Sequence, residues 1–237
     1  MSGQAAGETA GAFDRLWALL FPARCLGCGR RGTPVCAQCQ EAIPWLGAET
    51  CPRCARASPL GRLCARCRNQ PGQLDGLRAA CTFDGIVRQA LHDLKYRQAR
   101  FLAVFAASLL KQSLARRPLR ADVLVPVPLP KARRRDRGYN QSELIAERLA
   151  AALGMPCVPA LLERVRETPP QVGLSAAERR ANVRDAFACA QPAAVEDRRV
   201  ILIDDVATTG ATLQACAAPL KAAGASRVFG LVVARDR

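Results

Sequence analysis

The chain has 237 residues, half of them hydrophobic, which is enough for one medium-sized domain and a smaller appendage. Its formal charge is +15 and its sequence pI is near 10.0; this points to an anionic partner such as nucleic acid, phosphates or a membrane surface, although arginine-rich composition also follows from codon usage. No stretch approaches the roughly 18 consecutive apolar residues that a membrane-spanning helix needs, so a helical transmembrane span is excluded.

Residues 1–24 form a lead-in. Phe13, Leu16, Trp17 and Leu20 recur at helical spacing, and the pattern predicts an amphipathic helix over Ala12 to Phe21, ended by Pro22 and packed on the protein. Trp17 to Phe21 is too short for a secretory signal core, and Asp14 and Arg15 interrupt it upstream. The expected compartment is therefore the cytoplasm.

Residues 25–70 hold eight of the twelve cysteines, in four Cys-x-x-Cys knuckles: Cys25/Cys28, Cys36/Cys39, Cys51/Cys54 and Cys64/Cys67. This is the spacing of tetrahedral zinc sites. Disulfides would need an oxidising compartment, so two Zn²⁺ ions are expected, and with eight thiolates they bring the charge from +15 to about +11. The intervening residues are rich in Gly, Pro and Arg and cannot build a core, a task that metal must take over. Seven residues separate the knuckles of the first half and nine those of the second. The segment is an internal repeat of two ribbon-like units, and spacing alone leaves sequential and interleaved pairing both open. Cys81, Cys157, Cys189 and Cys216 stand singly and read as small buried hydrophobes.

After a linker at Asn69 to Gly72, residues 76–237 alternate between strand and helix patterns. Ala79 to Phe83 and Val123 to Val127 read as strands, as do Val200 to Ile203 and Val228 to Val233. Ile86 to Leu94, Leu102 to Leu114 and Glu143 to Leu153, closed by Gly154, read as helices; Ser175 and Glu178 form a capping box for another. Pro219 predicts a kink or early end in the last helix, which begins near Leu213. The fold class is α/β, a mainly parallel sheet with helices on both faces, preceded by the small zinc-ribbon segment. His92, the single histidine, falls in a helix pattern and reads as structural.

Two strand ends carry chemistry. Val125-Pro126-Val127-Pro128 leads into a basic loop holding Lys131, Arg133, Arg134, Arg135 and Arg137, which meets a helix beginning near Ser142 and is a candidate anion site. The apolar run Val200 to Ile203 ends in Asp204 and Asp205 and is followed by Val206, Ala207, Thr208, Thr209, Gly210, Ala211 and Thr212. Carboxylates suit sugar hydroxyls or a metal, and a Gly/Thr turn at a helix start suits a phosphate. Together they describe a phosphorylated sugar at the carboxyl end of a strand.

The second segment resembles the phosphoribosyl-pyrophosphate (PRPP) loop of type I phosphoribosyltransferases. The resemblance implies that Asp204 and Asp205 hold the ribose and Ala207 to Thr212 wrap the 5′-phosphate. It also implies that pyrophosphate and Mg²⁺ lie near the basic loop, where Arg133 and Arg137 stabilise the leaving group. Over nearly its whole length the chain is similar to the ComF family. The motifs are Phe21-Pro22 before the first knuckle, Lys95 in Leu94-Lys95-Tyr96, and Pro128 leading to Arg133, Arg137, Gly138, Tyr139, Asn140 and Gln141. They continue in Arg164 or Arg166, Thr168, Gln171, Leu174, Ser175, Glu178, Arg179, Asn182, Val183 and Phe187. On this resemblance Lys95 and Pro128 join the PRPP-binding set. The implied role is in DNA uptake and transformation, with PRPP or a related phosphoribosyl compound as ligand and single-stranded DNA or a DNA-handling protein as partner. An active Mg²⁺-dependent phosphoribosyltransferase with an unidentified acceptor is the alternative.

Overall fold

The structure is a computed structural model and describes residues 24–70, 72–168 and 175–236. The helix expected at 12–21, and Gln171 and Leu174, lie outside the described residues. The chain divides into two compact units at Ile43/Pro44, between the two cysteine groups, so the second group belongs to the same unit as the α/β fold.

The two ribbon units repeat each other bond for bond. Cys25 N–H donates to Arg30 O at 2.8 Å and Cys51 N–H to Arg56 O at 2.7 Å; Gly29 N–H and Ala55 N–H close the knuckle turns onto Cys25 O and Cys51 O, each at 2.8 Å. A short helix follows the third cysteine in both, Ala37–Glu41 and Ala65–Asn69.

In the second unit a four-stranded parallel sheet has the order β1-β6-β5-β2, with β1 Gly76–Thr82, β2 Val123–Pro126, β5 Arg199–Ala207 and β6 Arg227–Arg235. A small antiparallel pair, β3 Leu162–Arg164 and β4 Phe187–Cys189, stands apart. The helices are α1 Gly85–Tyr96, α2 Leu102–Arg116, α3 Lys131–Arg137, α4 Gln141–Leu153, α5 Ala176–Val183 and α6 Ala211–Ala222. Among the described residues, no helix is long and apolar enough to cross a membrane.

β5 and β6 lie at the centre and read as nearly unbroken apolar runs because both sheet faces are covered. Val200, Leu202, Val228 and Val232 cluster with Leu213, Cys216, Ala217 and Leu220 of α6. Ile201, Ile203, Leu231 and Val233 point the other way by the two-residue period of a strand, and α2 and α4 pack together and against the sheet. Both sheet edges are covered. Leu46 N–H donates to Ala80 O, Thr82 N–H to Pro44 O and Leu77 N–H to Pro52 O along β1, while residues 156–158 bond Leu124 of β2. Such covering removes the unpaired edge that would otherwise recruit a second strand.

The structure alters three expectations. β5 does not end before the acids but continues through Asp204 and Asp205 to Ala207, because β6 pairs with it as far as Arg235. The basic segment is not a loop: Lys131–Arg137 is helical, entered from Pro130 and ended by Gly138 at φ 78°, a conformation that favours glycine. Pro219 does not stop α6, which runs to Ala222 and closes with Ala223 N–H on Pro219 O at 3.0 Å. The capping box forms as expected, with Ser175 N–H donating to Glu178 Oε2 at 2.7 Å and Glu178 N–H to Ser175 Oγ at 3.3 Å.

Candidate functional site

A cleft of ≈ 420 Å³ opens beside the carboxyl ends of β5 and β2, where open α/β sheets receive ligands. It is lined by Asp204, Asp205, Ala207, Thr208, Thr209, Gly210, Ala211 and Thr212 on one side and by Pro128, Arg133 and Arg137 on the other, with Lys95 between. Every residue expected from sequence to bind or act on a phosphoribosyl ligand is thus gathered in one place.

The carboxylates are held by their own strand and by two neighbours. Asp204 Oδ1 accepts from Asp205 N–H at 2.9 Å and from Ser142 Oγ at 2.9 Å; Asp205 Oδ1 accepts from Val206 N–H at 2.7 Å. Lys95, at the end of α1, places Nζ 2.6 Å from Asp205 Oδ2. Burial, followed by the neighbouring Asp205 charge, pushes Asp204 up to about 7, against the lowering effects of Ser142, the Asp205 amide and Lys95. For Lys95 burial lowers the pKa, but the Asp205 and Asp204 charges outweigh it and the net direction is upward.

The phosphate-loop candidate is short. Gly210 takes φ 79° as the N-cap of α6, which a Cβ would strain, and Thr209 Oγ1 accepts from Ala211 N–H at 3.2 Å. The start of α6, where a helix favours an anion, therefore lies in the same cleft as the carboxylates.

The facing wall is fixed from behind. Asn140 caps α4 by accepting from Ser142 N–H at 3.0 Å and donates Nδ2 to Val127 O at 3.0 Å, tying the helix start to the Pro128 turn. Tyr139 Oη donates to Leu94 O, beside Lys95, and Arg100 stacks on its ring at 4.6 Å. Arg137 bonds Gln141 Oε1 and lies over Tyr96 at 5.5 Å. Sequence left Arg164 and Arg166 as equivalents; the structure separates them. Arg164 lines the cleft and bonds Thr168 Oγ1, whereas Arg166 donates to Asn182 O and Arg184 O. Arg179 also lines the cleft. Ser142 was missed as a site residue, since its signal was only that of a helix start. His92 is half exposed, 3.3 Å from Asp93, and does not line the cleft.

The cysteines resolve into two sequential groups, Cys25/Cys28/Cys36/Cys39 and Cys51/Cys54/Cys64/Cys67, each with its four sulfurs within 4.8 Å of one another. Cys28 and Cys36 sulfurs lie 3.6 Å apart and those of Cys54 and Cys64 3.8 Å, close to the ~3.8 Å edge of a tetrahedron with Zn–S bonds of about 2.3 Å. Cys36 N–H donates to Cys25 Sγ at 3.4 Å, and this bond is the chief cause holding the Cys25 thiol down to about 6. Cys39, beside Cys25 and Cys36, is pushed up to about 12. Four sulfurs this close all become thiolates only around a cation, so the donor set fits zinc. Of the single cysteines, Cys81 and Cys216 are buried and Cys157 and Cys189 half-buried.

Comparison with known families agrees with this geometry. A double zinc ribbon domain matches residues 16–68 and a phosphoribosyl transferase domain residues 140–237. These define a class of protein in which a double zinc ribbon precedes a phosphoribosyltransferase-like domain. DNA utilization protein YhgH of Salmonella typhi is 33% identical over 201 residues, covering 82% of this chain and 87% of that protein. Competence protein F of Haemophilus influenzae is 40% identical over 113 residues, 46% of this chain and 49% of that protein. Competence protein ComFC of Bacillus subtilis is 28% identical over 186 residues, 76% and 74% respectively. The chain belongs to the ComF family.

Proposed function

We propose that the cleft binds PRPP with Mg²⁺, and that the protein uses this site while handling DNA, or serving a DNA-handling partner, in the cytoplasm; names among its relatives, DNA utilization protein and competence protein, support the DNA part. The carrying observation is that one cleft is lined by the acid pair with its Gly/Thr turn and by the basic residues Lys95, Arg133 and Arg137. A 5′-phosphate suits the 207–212 turn, a pyrophosphate suits Arg133 and Arg137, and the ribose hydroxyls suit Asp204 and Asp205. Asp204 and Asp205 are the residues that would hold the accompanying Mg²⁺, which would supply positive charge to the diphosphate.

Calorimetry with PRPP, with and without Mg²⁺, tests the site. Binding that needs the metal is expected; no heat in either condition overturns the assignment. For the DNA role, the charge of +15 favours contacts to phosphates. The expected result is single-stranded DNA binding that falls steeply with salt, by a factor set by the number of phosphates contacted. If no binding occurs at low salt, direct DNA contact is rejected and the role passes to a protein partner.

A second reading is an active phosphoribosyltransferase, and the position of Asp204 favours it. A carboxyl pushed up to about 7 beside the ribose site can exchange a proton at neutral pH. Pyrophosphate release from PRPP across a panel of bases and amines, lost in Asp204→Asn and Asp205→Asn, is the outcome this reading requires.

A further inference from the structure

Arg235 ends β6 and is 5% exposed. A cation so placed is costly unless its N–H groups find acceptors. Among the described residues, each hydrogen bond of this guanidinium goes to a main-chain carbonyl. Nη1 donates to Ala207 O at 2.5 Å, to Thr208 O, and to Asp236 O at 2.9 Å; Nε donates to Cys54 O at 3.0 Å. Ala207 and Thr208 open the phosphate-loop candidate. Cys54 belongs to the first knuckle of the second cysteine group.

Both ends of this link are anchored. The knuckle is fixed on β1 through Leu77 N–H to Pro52 O at 3.0 Å, and Arg53 Nη1 donates to Cys67 O at 3.1 Å, which ties it to the other knuckle of its cysteine group. At the other end peptide planarity transmits the constraint. In a trans peptide the C=O of one residue and the N–H of the next point in opposite directions. Holding Ala207 O and Thr208 O against Arg235 therefore turns the N–H groups of Thr208 and Thr209 away from it. Thr208 and Thr209 line the cleft, and Arg235 does not.

We infer that Arg235 is a positioning residue through which the second zinc site sets the amides of the 207–212 loop. Zinc held by Cys51, Cys54, Cys64 and Cys67 fixes Cys54 O, Cys54 O fixes the guanidinium, and the guanidinium fixes the loop. Affinity for a sugar phosphate then depends on the occupancy of a metal site that does not touch the ligand. The affinity part rests on the phosphoribosyl reading of the cleft; the loop part does not.

The test uses the full zinc-loaded chain and the variants Arg235→Gln and Arg235→Lys. Hydrogen exchange without ligand should show faster exchange across 206–212 in Arg235→Gln, at unchanged zinc content and with α4 unaffected. Arg235→Lys should be only partly protected, because one ammonium does not hold Cys54 O and the 207–208 carbonyls together, as Nε and Nη1 do. Binding of ribose 5-phosphate should weaken by about tenfold in Arg235→Gln while binding of inorganic pyrophosphate is unchanged. By reciprocity, ribose 5-phosphate should slow extraction of one of the two zinc ions by a chelator in the wild type and not in Arg235→Gln. Unchanged loop exchange in Arg235→Gln overturns the proposal, as does equal weakening of ribose 5-phosphate and pyrophosphate, which would mean general loosening. If the wild type binds neither probe, the phosphoribosyl reading falls while the exchange measurement still decides the coupling.

Discussion

Lys95 Nζ lies 2.6 Å from Asp205 Oδ2, and the two side chains are 20% and 6% exposed. α1, which follows the edge strand β1, thus delivers a resident cation to the acid pair of the central strand β5. Ser142, at the start of α4, gives Asp204 a hydrogen bond but no charge. Asp205 thus has a counter-charge while Asp204 has hydrogen bonds, and burial and the Asp205 charge push Asp204 upward.

Removing the cation should expose that dependence. Lys95→Met leaves Asp205 buried beside Asp204 without its counter-charge, and the loss of one member of a buried pair predicts a destabilisation of about 2–4 kcal/mol near neutral pH. A few millimolar Mg²⁺ should raise the melting temperature of the variant more than that of the wild type, since a divalent ion can stand in for the ammonium. Thermal melts with and without Mg²⁺ check both; equal metal effects would mean that Lys95 does not govern the charge of the pair.

Asp204 gives the protein a pH dependence with a definite sign. Its folded value of about 7 lies above the ordinary carboxyl value of about 3.9. Between these the native state binds a proton that the unfolded chain has released. The stability this group contributes is present below about pH 4 and lost as pH rises through about 7. Asp204→Asn, which still offers Ser142 an acceptor, should therefore be more stable than the wild type at pH 8, by ~1–2 kcal/mol or several degrees in Tm. The difference should shrink towards pH 4, as read from melting curves across that range.

The parts legible in the sequence were those set by local pattern. Knuckle spacing marked all eight cysteines, the run Val200 to Ile203 marked the central strand, and the Asp-Asp and Thr-Thr-Gly residues marked the cleft. The parts that escaped depend on distant partners. β5 extends past its acids because Arg235 of β6 pairs with Ala207, and nothing within 200–207 announces that. Lys131 to Arg137 looked like a loop because five cations and no apolar stripe conceal a short exposed helix, whose ends are set by Pro130 and Gly138. Sequential pairing of the cysteines needed coordinates, since spacing permits either pattern. The choice of Arg164 over Arg166 needed the β3–β4 pair that aims the first at the cleft.

Asn140 carries two loads with one side chain. Its Oδ1 caps α4 through Ser142 N–H, and its Nδ2 holds Val127 O at the start of the Pro128 turn; the residue is 3% exposed. Asn140→Ala removes the cap and leaves Val127 O without that donor, a combined cost of about 2–3 kcal/mol. Because the turn carries the wall opposite the acids, pyrophosphate affinity should fall by more than the affinity for ribose 5-phosphate. Calorimetry with the two probes separates this from a general loss of stability, which would reduce both alike.

The second cysteine group has a structural duty beyond its own ribbon. Residues 44–52 cover the outer edge of β1, and the ribbon that supplies them has few apolar side chains to hold it, so metal must provide the ordering energy. Cys51 is fully buried and receives Cys64 N–H at 3.5 Å, so serine at this position loses both a thiolate and a packed contact. Cys51→Ser is expected to lower bound zinc from two ions per chain to one, matching the two cysteine groups. It should also lower the melting temperature of the α/β unit and raise aggregation through the uncovered β1 edge. Metal analysis, melting and light scattering on the same sample give the three readouts. A variant that loses one zinc yet melts and scatters like the wild type would show that the ribbon covers the edge without needing its metal.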